Sequence, residues 1–201
     1  MAFFPIYVDI TDKHVLIVGG GHTALQKIKA VLEFGAIIHV IAKDLSKEVE
    51  DISGNHPDQI KIVRRAFVED DILANPDYYC MVVAATNDRQ LNSHISDICN
   101  RHRIPVNVVD DPELCSFIFS SIYKNKDLVC AISSSGESPV LTQYVKDVLQ
   151  KQLPDNIGEI NEYMGRVRRR LKDEIPDMSE RKKVLKEILE KEIREGGRNN
   201  E

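Results

Sequence analysis

A buried strand that runs straight into three glycines and out into a helix leaves few folds open to this chain. Val15-Leu16-Ile17-Val18 is an unbroken run of branched apolar residues, the pattern of a strand covered on both faces of a parallel sheet. Gly19-Gly20-Gly21 follow, and then Ala24, Ile28, Val31 and Leu32 recur at helical spacing, so the glycines turn a strand into an amphipathic helix. In a G-x-G-x-x-G/A turn the first glycine allows the tight bend. The second lets a pyrophosphate approach the backbone, and the third small residue lets the helix pack closely on its strand. Gly19, Gly21 and Ala24 stand at these positions. The N–H groups that open the helix, from Gly20 through His22 and Thr23, would then face the anion. The competing reading is a glycine turn used only for close packing.

The chain after this turn repeats strand and helix. Phe3-Phe4-Pro5-Ile6-Tyr7-Val8 precedes it as an apolar lead-in expected to pack beside the first strand. A helix is expected over 23–34, and strands over 37–42, 60–63, 79–85 and 104–109, with a polar helix at 46–53 and short or longer helices after Glu69 and over 89–102. Five strands separated by helices predict an α/β fold, a Rossmann-like doubly wound parallel sheet. Ligands of such sheets sit at the carboxyl ends of the strands. Asp44 ends the second strand, 20 residues after Ala24, where a carboxylate can hold ribose hydroxyls; Lys43 stands beside it. An N-cap or solvated turn is the alternative for Asp44. Thr86 and Asn87 end the fourth strand and are candidates for cofactor contact or for capping the helix that follows. Asp110-Asp111-Pro112 ends the fifth. Two carboxylates at a ligand edge suit proton transfer, against the simpler reading of a polar turn before proline.

Beyond the fifth strand the pattern changes. Phe117-Ile118-Phe119 and Leu128-Val129-Cys130-Ala131-Ile132 read as two strands joined by a polar turn at 123–126. Ser133, Ser134, Ser135 and Gly136 precede Ser138-Pro139 and a helix, a composition that makes an anion pocket or a helix cap. From Asn156 the chain reads as helical, with apolar stripes through Ile157, Ile160, Val167 and Leu171 and through Val184, Leu185 and Ile188, and a polar tail after Glu195. Arg166, Arg168, Arg169 and Arg170 form a basic run, either a contact for a polyanion or a solvated face. The acidic first 150 residues give way to a nearly balanced remainder, which places a boundary near Pro154.

Composition excludes several classes. No apolar run of the 201 residues approaches the roughly 18 needed to span a membrane, and residues 1–5 lack the basic start of a secretory signal. Four widely spaced cysteines predict buried, reduced thiols and a cytoplasmic protein. A net charge of −5 argues against a general nucleic-acid binder. There is no Walker loop, H-E-x-x-H or G-x-S-x-G, and the six scattered histidines indicate no structural metal.

Taken together, Gly19-Gly20-Gly21-x-x-Ala24-x-x-Lys27, Ala84-Ala85-Thr86-Asn87-Asp88, Val106-Asn107-Val108-Val109-Asp110-Asp111-Pro112 and Ser133-Ser134-Ser135-Gly136-x-Ser138-Pro139 resemble precorrin-2 dehydrogenase, the N-terminal part of siroheme synthases. The resemblance continues through Gly165-x-Val167-Arg168 and Met178-Ser179-Glu180-Arg181, and, without a methyltransferase motif in these residues, the stand-alone form of the family is expected. It implies NAD-dependent oxidation of precorrin-2 to sirohydrochlorin on the way to siroheme; some members also insert Fe²⁺, so an additional ferrochelatase activity, for which Asp110 could serve as base, stands as the alternative to a separate chelatase that receives the product. It implies a homodimer and three parts: an NAD-binding Rossmann domain (1–113), a small strand-containing dimerisation region (114–145) exchanged between subunits, and a C-terminal helical domain (146–201), with the active site in the cleft between the Rossmann and helical parts. Asp110 falls at the position of the family's catalytic aspartate. His22, Thr23, Lys43 and Asp44 fall where the family contacts NAD. Ser134 matches a serine near the tetrapyrrole that is phosphorylated in some members. Gln26 and Lys43 depart from the family's usual arginine and proline.

The substrate carries many carboxylates, for which the serine tract and Arg166 are the candidate contacts. A rival of another class is a non-catalytic NAD(H)-sensing regulatory module, which needs the glycine turn and dimerisation but neither a base nor an anion pocket. A further rival is another small dehydrogenase acting on a carboxylate substrate.

Overall fold

The computed structural model describes residues 3–196, so the polar tail expected after Glu195 lies, beyond Gly196, outside the described residues. The chain divides into two compact units, one ending at Phe119 and the other beginning at Ser120.

The first unit is built on β1 (His14–Val18), β2 (Ile37–Ala42), β3 (Ile60–Arg64), β4 (Tyr79–Ala84) and β5 (Val106–Val108), all parallel in the order β3-β2-β1-β4-β5. This is the doubly wound sheet expected from the strand–helix alternation. The glycine-flanked strand lies at its centre. Its side chains alternate between two cores: Val15 and Ile17 pack with Ile28 of α1 (His22–Leu32) and Val49 of α2 (Lys47–Asn55), while Leu16 and Val18 pack with Ile72 of α3 (Asp70–Leu73) and with Ile95 and Ile98 of α4 (Arg89–Arg101). Both faces of β1 are therefore dry, which is why it carries no polar alternation.

Central placement also overturns one expectation. The lead-in does not pack beside β1, because β2 and β4 already occupy both of its edges. Phe4 and Ile6 are 85% and 69% exposed, and burial begins only at Ile10.

A second correction concerns residues 117–119, which form no strand. Ser116 pairs both ways with Val106, through its N–H to the carbonyl (2.9 Å) and its Oγ to the Val106 N–H (2.8 Å). Asn107 Nδ2 donates to the Phe117 carbonyl at 3.1 Å. The segment thus lies against β5 through side-chain hydrogen bonds, and Phe119 packs on the first core.

In the second unit, β6 (Ser121–Asn125) and β7 (Leu128–Ile132) form an antiparallel hairpin with Lys126 at φ 53° in its two-residue turn, shorter and later than the expected turn at 123–126. Three helices follow: α5 (Pro139–Gln152), α6 (Ile157–Glu174) and α7 (Met178–Gly196). Tyr123, Ile157 and Ile160 centre its core, with Leu128, Met164 and Leu189 around them. Among the described residues no helix is long and apolar enough to cross a membrane. All four cysteines are free; Cys99 is buried, and its thiol is pushed up to about 12 by that burial, while the other three are half-buried.

Candidate active site

Register places the candidate residues of the first unit at one level. Val18 pairs with Ile41 on one side and with Ala84 on the other, and Ala84 pairs with Val108. The ladder closes with Gly19 N–H to the Ile41 carbonyl (2.9 Å), Ala85 N–H to Val18 (2.8 Å) and Val109 N–H to Ala84 (3.0 Å). All four strands therefore end together. The glycine turn, Lys43 and Asp44, Thr86 and Asn87, and Asp110 follow at one sheet edge. β1 and β5 are separated by one strand, so the turn and the end of β5 stand roughly 10 Å apart at the usual strand spacing.

Two of the three glycines of the turn are required by their protein neighbours. Gly19 has φ 126°, and a Cβ there would overlap the Ala85 carbonyl. A Cβ at Gly20 would press on the Asp44 carbonyl and Leu45, while Ser46 N–H donates to the Gly20 carbonyl at 2.8 Å. Gly20 is thus a packing residue that draws the end of β2, and with it Asp44, against the turn. A Cβ at Gly21 would meet nothing within 4 Å.

Gly21 also stands at the N-cap of α1, where no side chain caps the helix and no acidic residue occupies the first turn. By contrast Ser46 caps α2, Asp88 caps α4 and Ser138 caps α5. The first amides of α1, those of His22, Thr23 and Ala24, therefore lack the side-chain oxygen acceptor that the other three helices carry. The positive end of the helix faces open space beside a residue with no side chain. Those features fit a dinucleotide pyrophosphate.

The other candidates sort as follows. Asp44 and Lys43 are exposed, and since Ser46 caps α2 through its Oγ on Val49 N–H, Asp44 is not the N-cap. His22 Nε2 is hydrogen-bonded to Gln26 Nε2 at 3.0 Å. Thr86 turns inward: its hydroxyl donates to Asn92 Oδ1 at 2.6 Å, and Asn92 Nδ2 returns a bond to the Thr86 carbonyl at 2.9 Å. Buried Asn92 is thus the post that holds this loop, and its place within an amphipathic helix hid it from sequence reasoning. Asn87 is exposed.

The two adjacent carboxylates divide. Asp111, with its side chain 14% exposed, is ion-paired to Arg89 Nε at 2.9 Å. Asp110 is exposed and has φ 59°, a left-handed conformation that aspartate and asparagine tolerate better than most residues. Cys115 fastens the far end of this loop. Its Sγ accepts from Val108 N–H at 3.1 Å and lies 3.2 Å from the Val108 carbonyl, to which it donates. Burial pushes the Cys115 thiol up, with Lys27 acting against the rise.

Lys27 belongs to the same neighbourhood, although it entered the sequence reading only as part of a motif. Its Nζ lies 4.3 Å from the centroid of the Phe119 ring. Burial holds its ammonium below the usual lysine range, with the Asp110 carboxylate acting against it. The signal in the sequence was its spacing, one helical turn beyond Thr23 and Ala24.

In the second unit the serine tract is a network of local bonds. Ser133 Oγ accepts from Ser135 N–H (3.0 Å), Ser134 Oγ from Ser138 N–H (2.9 Å) and Ser138 Oγ from Leu141 N–H (3.2 Å). Ser135 and Gly136 both have positive φ, so the tract winds tightly into the start of α5. Arg166 is exposed on α6, with its guanidinium 5.9 Å from the Tyr163 ring centroid.

Comparison with known proteins bears on the family and the fold. Residues 6–121 match the family described as "Putative NAD(P)-binding". The siroheme synthase of Zymomonas mobilis is 37% identical over 183 residues, which is 90% of this chain and 37% of that protein. The siroheme synthase of Nitrosospira multiformis is 37% identical over 191 residues, 94% of this chain and 40% of that protein. The chain thus spans about two-fifths of the length of these curated relatives. Among solved structures, SirC, a precorrin-2 dehydrogenase, shares the fold with a TM-score of 0.69 at 24% identity, covering 96% of this chain and 92% of that one.

Proposed function

The chain belongs to the NAD(P)-binding family matched by residues 6–121, and from that premise we propose that it oxidises precorrin-2 to sirohydrochlorin with NAD, Asp110 acting as general base. The observation that carries the reading is the shared sheet edge: an uncapped α1 behind Gly21, two strands from an exposed carboxylate. Siroheme synthases at 37% identity supply the substrate class.

When bound, NAD supplies the hydride acceptor. The protein's own part is to hold and to deprotonate. Gly19 makes the bend, Gly20 to Ala24 bind the pyrophosphate through main-chain N–H groups, and Asp44, with Lys43 beside it, reaches the ribose at the end of β2. Thr86 keeps the Asn87 loop in place at the end of β4. Asp110 receives the proton that leaves the substrate carbon skeleton as the hydride departs, so that both products of the two-electron oxidation are accounted for. Ser133, Ser134, Ser135, Gly136 and Arg166 are assigned to the carboxylates of the substrate.

The reading extends to a homodimer in which residues 114–145, which follow the Rossmann part (1–113) and precede the helical part (146–201) in sequence, exchange between copies. The apolar residues exposed on α5, Val140 at 81% and Tyr144 at 64%, support an interface there. The protein is placed in the cytoplasm, where its free thiols stay reduced, with metal insertion left to a separate chelatase.

Turnover tests the proposal. The wild-type protein given precorrin-2 and NAD⁺ without oxygen is expected to form NADH and sirohydrochlorin together. Asn at position 110 tolerates the same left-handed backbone, so Asp110→Asn keeps the fold and NAD affinity while kcat falls about 10²–10⁴-fold. NAD⁺ binding without turnover by the wild-type protein contradicts the enzyme reading; near-normal turnover by Asp110→Asn removes Asp110 as the base.

A further inference from the structure

Asn92 is 5% exposed and belongs to the buried side of α4 with Ile95, Ile98 and Cys99. An amide in such a place is costly unless its polar atoms are paired. All of its hydrogen bonds named here go to one residue. Asn92 Oδ1 accepts from the Thr86 hydroxyl at 2.6 Å and from the Thr86 N–H at 3.3 Å, and Asn92 Nδ2 donates to the Thr86 carbonyl at 2.9 Å. A main-chain N–H only donates and a carbonyl only accepts, so these partners fix which way the amide faces. Thr86 is thereby gripped at three points by a side chain six positions further on.

The place of Thr86 gives that grip a use. The sheet order β3-β2-β1-β4-β5 reverses between β1 and β4: the chain runs outward from β1 through β2 and β3, then returns to the other side of β1. Ligand crevices of such sheets open at this switch point, outside the carboxyl ends of the two strands. The glycine turn after β1 is one wall, and Ala85-Thr86-Asn87 after β4 is the other. They meet at the base, where a Cβ on Gly19 would overlap the Ala85 carbonyl and lie 3.2 Å from Thr86 N. The ladder reaches Ala85, whose N–H donates to the Val18 carbonyl at 2.8 Å. From Thr86 onward the wall is held from α4, by Asn92 and by the Asp88 N–H on Thr86 Oγ1 at 3.2 Å.

We propose that Asn92 is a positioning residue for the dinucleotide: by locking Thr86 it keeps the β4 wall at a fixed distance from the glycine turn, with Asn87 at the rim. The inference rests on the reading of the glycine turn as the pyrophosphate site. The Thr86 hydroxyl is engaged by Asn92 and not by the ligand. A loop gripped in this way is ordered on folding, so the cofactor need not order it on binding.

The test is NAD⁺ affinity of the full-length protein, read by fluorescence titration well below each Tm, beside turnover with precorrin-2. Asn92→Leu, which keeps the size and removes all three bonds, is expected to weaken NAD⁺ about tenfold, as displaced binding groups do. The KM for NAD⁺ should rise in step while kcat at saturating NAD⁺ stays within about threefold, the pattern of lost uniform binding. Thr86→Val should weaken NAD⁺ about threefold alone and less than twofold in the Asn92→Leu background, because the two side chains share one interaction. Cys99→Ala, a change on the same buried side of α4, should lower Tm and leave NAD⁺ affinity at the wild-type value.

Wild-type NAD⁺ affinity in folded Asn92→Leu overturns the proposal. An equal loss of affinity in Cys99→Ala also overturns it, since affinity then follows stability and not the loop. If Asn92→Leu fails to fold, Asn92→Asp takes its place: it keeps the acceptor and sets a carboxylate oxygen against the Thr86 carbonyl, so unchanged affinity there overturns the proposal equally. Absence of NAD⁺ binding by the wild-type protein overturns the cofactor reading itself and is visible in the first titration.

Discussion

A methyl group at Gly20 would press on the Asp44 carbonyl and the Leu45 side chain, whereas one at Gly21 would meet nothing within 4 Å. The sequence shows three identical letters; only the packing around them separates a glycine required by its protein neighbours from one that meets none. The same limit applied to Asp110 and Asp111, which are equivalent as sequence and divided in the structure by Arg89. A different residue-scale consequence arises at the opposite end of the strands. His39 lies 2.9 Å from His14 through ring nitrogens, and Tyr78 stacks on His14. Burial first, and then the charges of His14 and Lys61, hold His39 at about 4, below its usual 6.5. A folded value below the unfolded one means that the unfolded chain takes up the proton first. The stability contributed is present above about pH 6.5 and is lost as the pH falls toward 4. Urea denaturation across this range is expected to show His39→Gln losing less stability on acidification than wild type, by on the order of 1–2 kcal/mol because solvent reaches the ring. Parallel pH curves for the two proteins contradict it.

At the scale of elements, α2, α4 and α5 carry side-chain caps, whereas α1, α3 and α6 do not. Asp88 Oδ1 accepts from the N–H groups of Gln90 and Leu91 and so closes the start of α4, while α1 is left open. Replacing Asp88 with Ala is expected to cost about 1 kcal/mol, read as a lowered Tm; an unchanged Tm shows that the cap is redundant. The five parallel strands and the helices between them were legible because branched apolar runs alternate with stripes of helical period, and Gly19-Gly20-Gly21 marks the turn at the centre. What misled was apolar content without its context. Phe3 to Val8 looks like a strand partner, yet β1 has no free edge. Phe117 to Phe119 looks like a strand, yet Asn107 takes the Phe117 carbonyl, a long-range bond that no local pattern announces. Lys27, legible only as part of the glycine-turn motif, gave no local sign of its contact with Phe119, and Asn92 gave none of its bonds back to Thr86.

Across the whole molecule, the two units carry different parts of the account. The first holds every residue assigned to the dinucleotide and the base, and the match to an NAD(P)-binding family over residues 6–121 ends just past its boundary at Phe119. The second, with its hairpin and three helices, holds the serine tract and Arg166. The central claim concerns the first unit, that the open space at Gly21 is kept for a pyrophosphate. Calorimetric titration of NAD⁺ into wild type and Gly21→Val tests it most directly, because the valine side chain meets no protein atom at its Cβ and so removes only the space in front of α1. The account predicts a wild-type Tm within about 2 °C, equivalent to less than about 1 kcal/mol in a domain of this size, together with at least a tenfold loss of NAD⁺ affinity. Unaltered NAD⁺ binding in a folded Gly21→Val protein would contradict it.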